Sequence, residues 1–343
     1  MILTYKYRVK DKHSAELRRI ARGVNFVWNF CNDTQKHALQ WNKKWPTGYE
    51  LQKLTTGSSV IMGVSADTIN ATCVKYYASR KQSKRRILRY RGKKNLGWIP
   101  LTGRSIQLID GKFRYFSKDY CVWLSRDIPV GSRICDGSSF SQDAKGRWYI
   151  NVVLDIAHKA ATNDNAVGID LGLKDLATLS DGGKIIAPQF FRKSQAKLAI
   201  AQRARKRRQI KNIHIKIANQ RKDFLHKATT KIVSDNRLIV IGDVSSSKLV
   251  KTRMAKSVLD ASWYSLKQML AYKSIANQAQ YVEVNERFTT QVCSDCGSIS
   301  GPKGRENLGI REWSCVCGAS HDRDVNSAKN ILRIGQNALR GAV

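Results

Sequence analysis

The stretch RLIVIGDVSSSKL, residues 237–249, decides how the chain is read. Its apolar run Leu238–Ile241 has the length and composition of a buried strand, and it reaches Gly242 and Asp243 before breaking into serines. A strand that ends on a carboxylate is a common way to deliver an acid to a site, which makes Asp243 one candidate. The alternative is that Gly242 marks a position where such a side chain is missing. Adjacent strand residues face opposite sides, so residues 242 and 243 cannot both serve one site.

Working outward, AVGIDLG (166–172) is a second buried strand with Asp170 at its end, followed by the hairpin LATLSDGGKII (176–186) with an Asp-Gly turn. SWYSLKQMLAYKSIANQAQ (262–280) reads as a helix and YVEVN as a further strand. In YVEVNERFTT (281–290), Val282, Val284 and Glu286 share one face while Glu283 and Asn285 take the other. HDRDVNSAKNIL (321–332) sets Asp322 and Asp324 at the start of a helix, where acids also suit the helix dipole. These pieces predict an α/β organisation beyond the polar linker ATNDN (161–165). Taken alone, Asp170 fits a strand-end turn cap, an actin-like kinase or an RNase H-like nuclease. Carboxylates from a strand end and a helix start, brought together, are what two Mg²⁺ ions need to clamp the oxygens of phosphodiester hydrolysis.

The eight cysteines divide in two. Cys31, Cys73, Cys121 and Cys135 are scattered and read as ordinary thiols. CSDCG and CVCG place Cys293, Cys296, Cys315 and Cys317 as two close pairs, with glycine relieving each tight turn. Four thiolates make a closed tetrahedral site, so the set predicts a structural Zn²⁺ without catalysis.

Charge narrows the partner. Lys and Arg number 61 against 26 Asp and Glu, a formal +35 spread along all 343 residues, and nucleic acid is the usual anion for such a chain. AQRARKRRQIKNIHIKIANQRKDFLHK (201–227) has no acid before Asp223, so its charge runs all round one long helical stretch over 191–234. Arg205, Arg207, Arg208, Arg221, Lys222, His226 and Lys227 are the phosphate-contact candidates there. KYYASRKQSKRR (75–86) adds Tyr76, Arg80 and Lys84, with Tyr76 equally suited to a core. No apolar run reaches the length of a membrane span. MILTYKYRVKDKH reads as a strand, not a secretory signal, so a cytoplasmic chain is expected. The remaining N-terminal sequence predicts a helical module over 11–90, punctuated by PTGYE and TTGSS. A small β-barrel interrupted by that module is predicted from residues 1–10 and the short β runs over 91–160.

The order GIDLGLKDLATLSDG, ANQRKDFLHK, LIVIGDV, RFTTQVCSDCG, CGASHDRDVNSAKNIL resembles the TnpB family, transposon-encoded RNA-guided DNA nucleases related to type V CRISPR effectors. The likeness covers nearly all of 161–335 and is weaker before it, through NFVWNFCND and GRWYI. It implies an α+β multidomain chain. Residues 161–290 and 318–343 would form an RNase H-like (RuvC) α/β nuclease domain, with a zinc-binding insertion over 291–317. A β-barrel wedge domain (1–10 and 91–160) would carry an inserted helical recognition domain (11–90). It further implies a monomer acting with a guide RNA from the transposon end on target double-stranded DNA, read by base pairing next to a short flanking motif.

The departure from the family lies in the opening stretch. Most members carry a metal-binding glutamate in a motif like I-x-I-E-D-L, and that glutamate falls on Gly242. One branch has lost it and uses a later one, which here falls on Glu286. The resemblance thus implies Asp170, Glu286 and Asp324 as holders of two Mg²⁺ ions, with Asp322 as helper or alternative. Asp243 then reads as a strand-end turn cap. The competing expectation is a nuclease-dead RNA-guided DNA-binding regulator, for which Gly242 would be an early loss.

Overall fold

The structure is a computed structural model that describes residues 1–85, 87–92, 95–156, 164–244, 255–304 and 306–341. Arg86 of the basic run, residues 161–163 of the linker and the serines after Val244 lie outside the described residues. The chain falls into two compact units, divided at residue 157.

In the first unit, β1 (Ile2–Val9) starts an antiparallel sheet and is followed by the helices α1 (Ser14–Gln40), α2 (Gly48–Leu54), α3 (Ser58–Met62) and α4 (Ala66–Gln82). The sheet resumes with β2 (Trp98–Pro100), β3 (Ile106–Ile109), β4 (Lys112–Tyr115), β5 (Lys118–Trp123), β6 (Arg133–Ile134), β7 (Ser139–Gln142) and β8 (Trp148–Asp155). Its order is β2-β7-β8-β1-β5-β4-β3, with β6 also on β8. β3 and β4 are joined by Asp110-Gly111, both left-handed at φ 48° and 71°, as a tight hairpin turn requires.

One hydrophobic cluster spans both parts of this unit. It joins Leu17, Val24 and Val27 of α1 and Ile69 of α4 to Tyr7, Phe113, Phe140 and Trp148 of the sheet. The helical module therefore shares its core with the strands. Two helices arise where the sequence reads as punctuation: α2 begins on a capping box, Thr47 bonding Glu50 N–H while Glu50 bonds Thr47 N–H.

The second unit holds β9 (Ala166–Leu171), β10 (Asp175–Leu179), β11 (Lys184–Ile186), α5 (Phe190–Arg203), α6 (Arg207–Asp235), β12 (Leu238–Gly242), α7 (Ala255–Ala261), α8 (Trp263–Ala276), β13 (Gln280–Val284), β14 (Glu312–Ser314), β15 (Ser320–Asp322) and α9 (Arg323–Arg340). A five-stranded sheet runs β11-β10-β9-β12-β13. The β11–β10 and β10–β9 pairs are antiparallel, whereas β9, β12 and β13 are mutually parallel neighbours. Val167, Ile169, Ile239 and Ile241 cover one face of that sheet and meet Leu225 and Ile232 of α6 and Leu266 and Leu270 of α8. The alternate residues face α9: Val240 and Val284 meet Ile331. The helix lies so close over β9 that a Cβ at Gly168 would sit 2.8 Å from Leu332 N.

The basic run is two helices, not one. Arg205 turns left-handed at φ 50° between α5 and α6, and the buried residues of α6 begin only at Ile217, continuing through Leu225, Thr229, Ile232 and Val233. No helix among the described residues is long and apolar enough to cross a membrane.

Candidate active site

The parallel register brings three strand ends together. Ile241 pairs with Ile169 and Gly242 with Val284, so Asp170, Gly242 and the segment after Val284 lie at one end of the sheet. β13 stops at Val284, and Glu286 sits two residues beyond it, in the turn where Thr289 N–H donates to Glu286 O at 3.3 Å. Its side chain lies over Gly242. A Cβ on residue 242 would come 3.2 Å from Glu286 Cβ and 3.4 Å from its Cδ, and closer still to Oε2.

Asp243 is exposed and hydrogen-bonds the turn that carries Glu286. Its N–H donates to Val284 O at 2.8 Å, and its Oδ1 accepts from Glu286 N–H at 3.4 Å. It ties the end of β12 to the turn that carries Glu286.

The third acid comes from α9. Asp322 caps the helix, its Oδ1 accepting from Asp324 N–H and Val325 N–H at 3.0 Å each, and its Oδ2 pairs with Lys184 at 2.6 Å. Burial works to raise the Asp322 carboxyl, but Lys184 and those two N–H groups hold it below the ordinary range. Asp324, in the first turn, pairs with Arg311 at 2.6 Å.

Asp170 accepts from Ser327 Oγ at 3.0 Å. Burial pushes its carboxyl up to about 7, the Ser327 bond opposes this, and the carboxylates of Asp324 and Glu286 add to the rise. Glu286 is raised as well, first by burial and then by Asp243, with Lys267 opposing. Asp170, Glu286 and Asp324 therefore form one electrostatic cluster.

The four clustered cysteines have their sulfurs within 4.8 Å of one another. Cys293 and Cys317 are 3.9 Å apart and Cys296 and Cys315 3.5 Å, close to the ~3.8 Å edge of a tetrahedron with Zn–S bonds of about 2.3 Å. The N–H of Cys317 and the hydroxyls of Ser298 and Ser300 hold the Cys315 thiol well below its usual range. Cys293 Sγ lies 3.1 Å from His321 Nε2, whose ring stacks on Trp313 with centroids 4.7 Å apart. The β14–β15 hairpin carries Cys315 and Cys317 in its turn and runs straight into Asp322.

The basic candidates separate by burial. Tyr76 is 2% exposed and its hydroxyl donates to Asn32 and Gln35, so it is a core residue and not a base-stacking one. Arg80, 5% exposed, stacks on Trp45 at 3.8 Å and donates to Arg85 O, which removes it from the phosphate contacts. Arg221 pairs with Asp260 at 2.7 Å and is likewise drawn inward. His226 is half-buried, and its carbonyl accepts from Lys273. Lys84, Arg205, Arg207, Arg208, Lys222 and Lys227 are exposed, with Lys227 beside Asp223 at 2.8 Å.

Sequence reading missed Arg311, Lys267, Thr289, Ser327 and His321. The spacing Asp324-x-x-Ser327, which sets both side chains on one helix face, was the one available signal for Ser327.

Comparison with known proteins adds the family. Residues 263–331 match the family described as Cas12f1-like, TNB domain, and residues 149–253 match one described as probable transposase. A Streptomyces pristinaespiralis protein named "Putative RNA-guided DNA endonuclease" is 31% identical over 361 residues, covering 96% of this chain and 88% of that protein. InsQ of Escherichia coli K12, of the same description, is 27% identical, covering 98% of this chain and 92% of that protein. The CRISPR-associated endodeoxyribonuclease Cas12f1 of Sulfoacidibacillus thermotolerans is 26% identical over 55% of this chain and 50% of its own. The chain belongs to the TnpB family of transposon-encoded RNA-guided DNA endonucleases.

Proposed function

We propose that this chain is a Mg²⁺-dependent, RNA-guided endonuclease of double-stranded DNA, with a RuvC nuclease domain of RNase H-like fold interrupted by a zinc-binding insertion. The observation that carries the reading is the seating of Glu286 over Gly242, in the same cluster as Asp170 and Asp324. The order of the five-stranded sheet supports the fold assignment.

The residues suit the ion. Burial raises Asp170 to about 7, with the Asp324 and Glu286 carboxylates adding to the rise, and oxygen donors of this kind match Mg²⁺. Asp170, Glu286 and Asp324 would hold it, with Asp322 as the outer neighbour. Bound there, Mg²⁺ supplies an activated water and neutralises charge on the phosphate. Asp243 holds the backbone of Glu286, and Arg311 brings a planar guanidinium, suited to a phosphate, to the same edge. Cys293, Cys296, Cys315 and Cys317 would hold Zn²⁺ and so tie down the hairpin leading to Asp322 and Asp324.

A guide RNA from the transposon end would pair with the target, leaving the monomeric protein to read a short flanking motif in the DNA. Lys84, Arg205, Arg207, Arg208, Lys222 and Lys227 are the phosphate contacts of this reading. A nuclease-dead regulator is the competing reading, and the filling of the Gly242 slot by Glu286 weighs against it. The test is incubation of the purified protein–RNA complex with Mg²⁺ and a plasmid carrying a matched target and a randomised flank. Cleavage is expected; binding without cleavage overturns the nuclease reading.

A further inference from the structure

A carboxylate on a strand is held by the ladder on both sides, but Glu286 stands on a turn, two residues past the end of β13. Something other than the ladder has to fix it. Thr289 Oγ1 donates to Glu286 O at 2.7 Å and lies 2.9 Å from Ser327 Oγ, which in turn donates to Asp170 Oδ1 at 3.0 Å. Each hydroxyl directs its one hydrogen outward, to the backbone of Glu286 and to the carboxylate of Asp170, and the two oxygens pack against each other, buried at 2% and 0% exposure.

The same turn is docked on α9 by two asparagines one helical turn apart. Asn326 Nδ2 donates to Thr289 O at 3.2 Å and Val292 O at 2.8 Å. Asn330 Nδ2 donates to the same carbonyls at 2.9 and 2.7 Å. Asn326 Oδ1 accepts from Ser294 N–H at 2.8 Å. A buried polar network with its partners in place holds one geometry, because each group left unpaired there is costly.

We propose that Thr289 and Ser327 are positioning residues: they register the Glu286 turn against Asp170, replacing the strand ladder that would hold a glutamate at position 242. This rests on the reading of Glu286 as a metal ligand. Hydroxyls that orient metal-binding carboxylates typically contribute about 10–100-fold in metal affinity.

The test measures Mn²⁺ binding to the full chain by the loss of the free-ion electron paramagnetic resonance signal, with zinc content and melting temperature recorded alongside. Thr289→Val and Ser327→Ala are each expected to weaken Mn²⁺ binding by about tenfold or more with zinc retained, while Thr289→Ser stays near the unaltered chain. Unchanged affinity in both variants overturns the proposal. So does an equal loss in Thr289→Ser, which would point to packing instead of the hydroxyl. Should Thr289→Val lose its zinc or its fold, Ser327→Ala decides alone. Glu286→Gln separates the two claims. If it weakens Mn²⁺ binding while the hydroxyl variants do not, only the positioning role fails. If it leaves Mn²⁺ binding unchanged, the metal-ligand reading fails and the positioning role with it.

Discussion

Gly242 and Glu286 share one volume: the glutamate occupies the space that a side chain on residue 242 would need, with its Cβ 3.2 Å from where a Cβ would stand. The glycine is therefore a steric condition for the glutamate's position, and the two residues should be read as a pair. Gly242→Ala pushes Glu286 out of the slot, and the half-saturating Mg²⁺ for plasmid cleavage should rise by about tenfold or more. Kinetics across a Mg²⁺ series check this, and an unchanged Mg²⁺ dependence would separate the pair.

Removal of zinc should reach the carboxylates. The hairpin turn holding Cys315 and Cys317 leads directly to Asp322, and Arg323 N–H donates to Arg311 O at 2.7 Å, so the insertion sets where α9 begins. Cys293→Ser is expected to lose zinc by mass spectrometry, to melt at a lower temperature, and to cut DNA more slowly by about 100-fold or more.

Asp170 gives a pH dependence with a definite sign. Its folded pKa of about 7 lies above the ordinary carboxylate value, so the fold prefers the protonated form. The stabilisation is complete below about pH 4 and is lost as pH rises through about 7. Without divalent metal, the melting temperature should fall between about pH 4 and 7, and Asp170→Asn should flatten that fall. Mg²⁺ should restore stability at the alkaline end, since a bound cation offsets the gathered negative charge.

Two neighbours on α6 should behave oppositely. Arg221→Ala leaves Asp260 without its ion-pair partner and should lower stability by roughly 1–3 kcal/mol, read as a lower melting temperature. Lys222→Ala, on an exposed residue, should leave melting unchanged and weaken nucleic-acid binding with a shallower salt dependence.

The second unit was legible because its strands end on apolar runs punctuated by glycine and acid; alternation does not place Glu286, which stands on a turn beyond the end of β13 at Val284. Clustered cysteines are equally plain, since thiolates at such spacing have few other uses. What the sequence hid depends on tertiary placement. Tyr76 and Arg80 lie in a run that is basic on paper, yet α4 turns both into the core against Asn32, Gln35 and Trp45. Arg311 and Lys267 reach the carboxylates from distant elements, and no local pattern marks them. The break at Arg205, left-handed at φ 50°, was hidden because arginine has no helix-stopping signature.

The most direct measurement is plasmid cleavage by the protein–RNA complex with Mg²⁺, comparing the unaltered chain with Glu286→Gln while target binding is followed in parallel. The account predicts that Glu286→Gln binds its matched target normally and cuts it more slowly by about 100-fold or more. Cutting at the unaltered rate would contradict it.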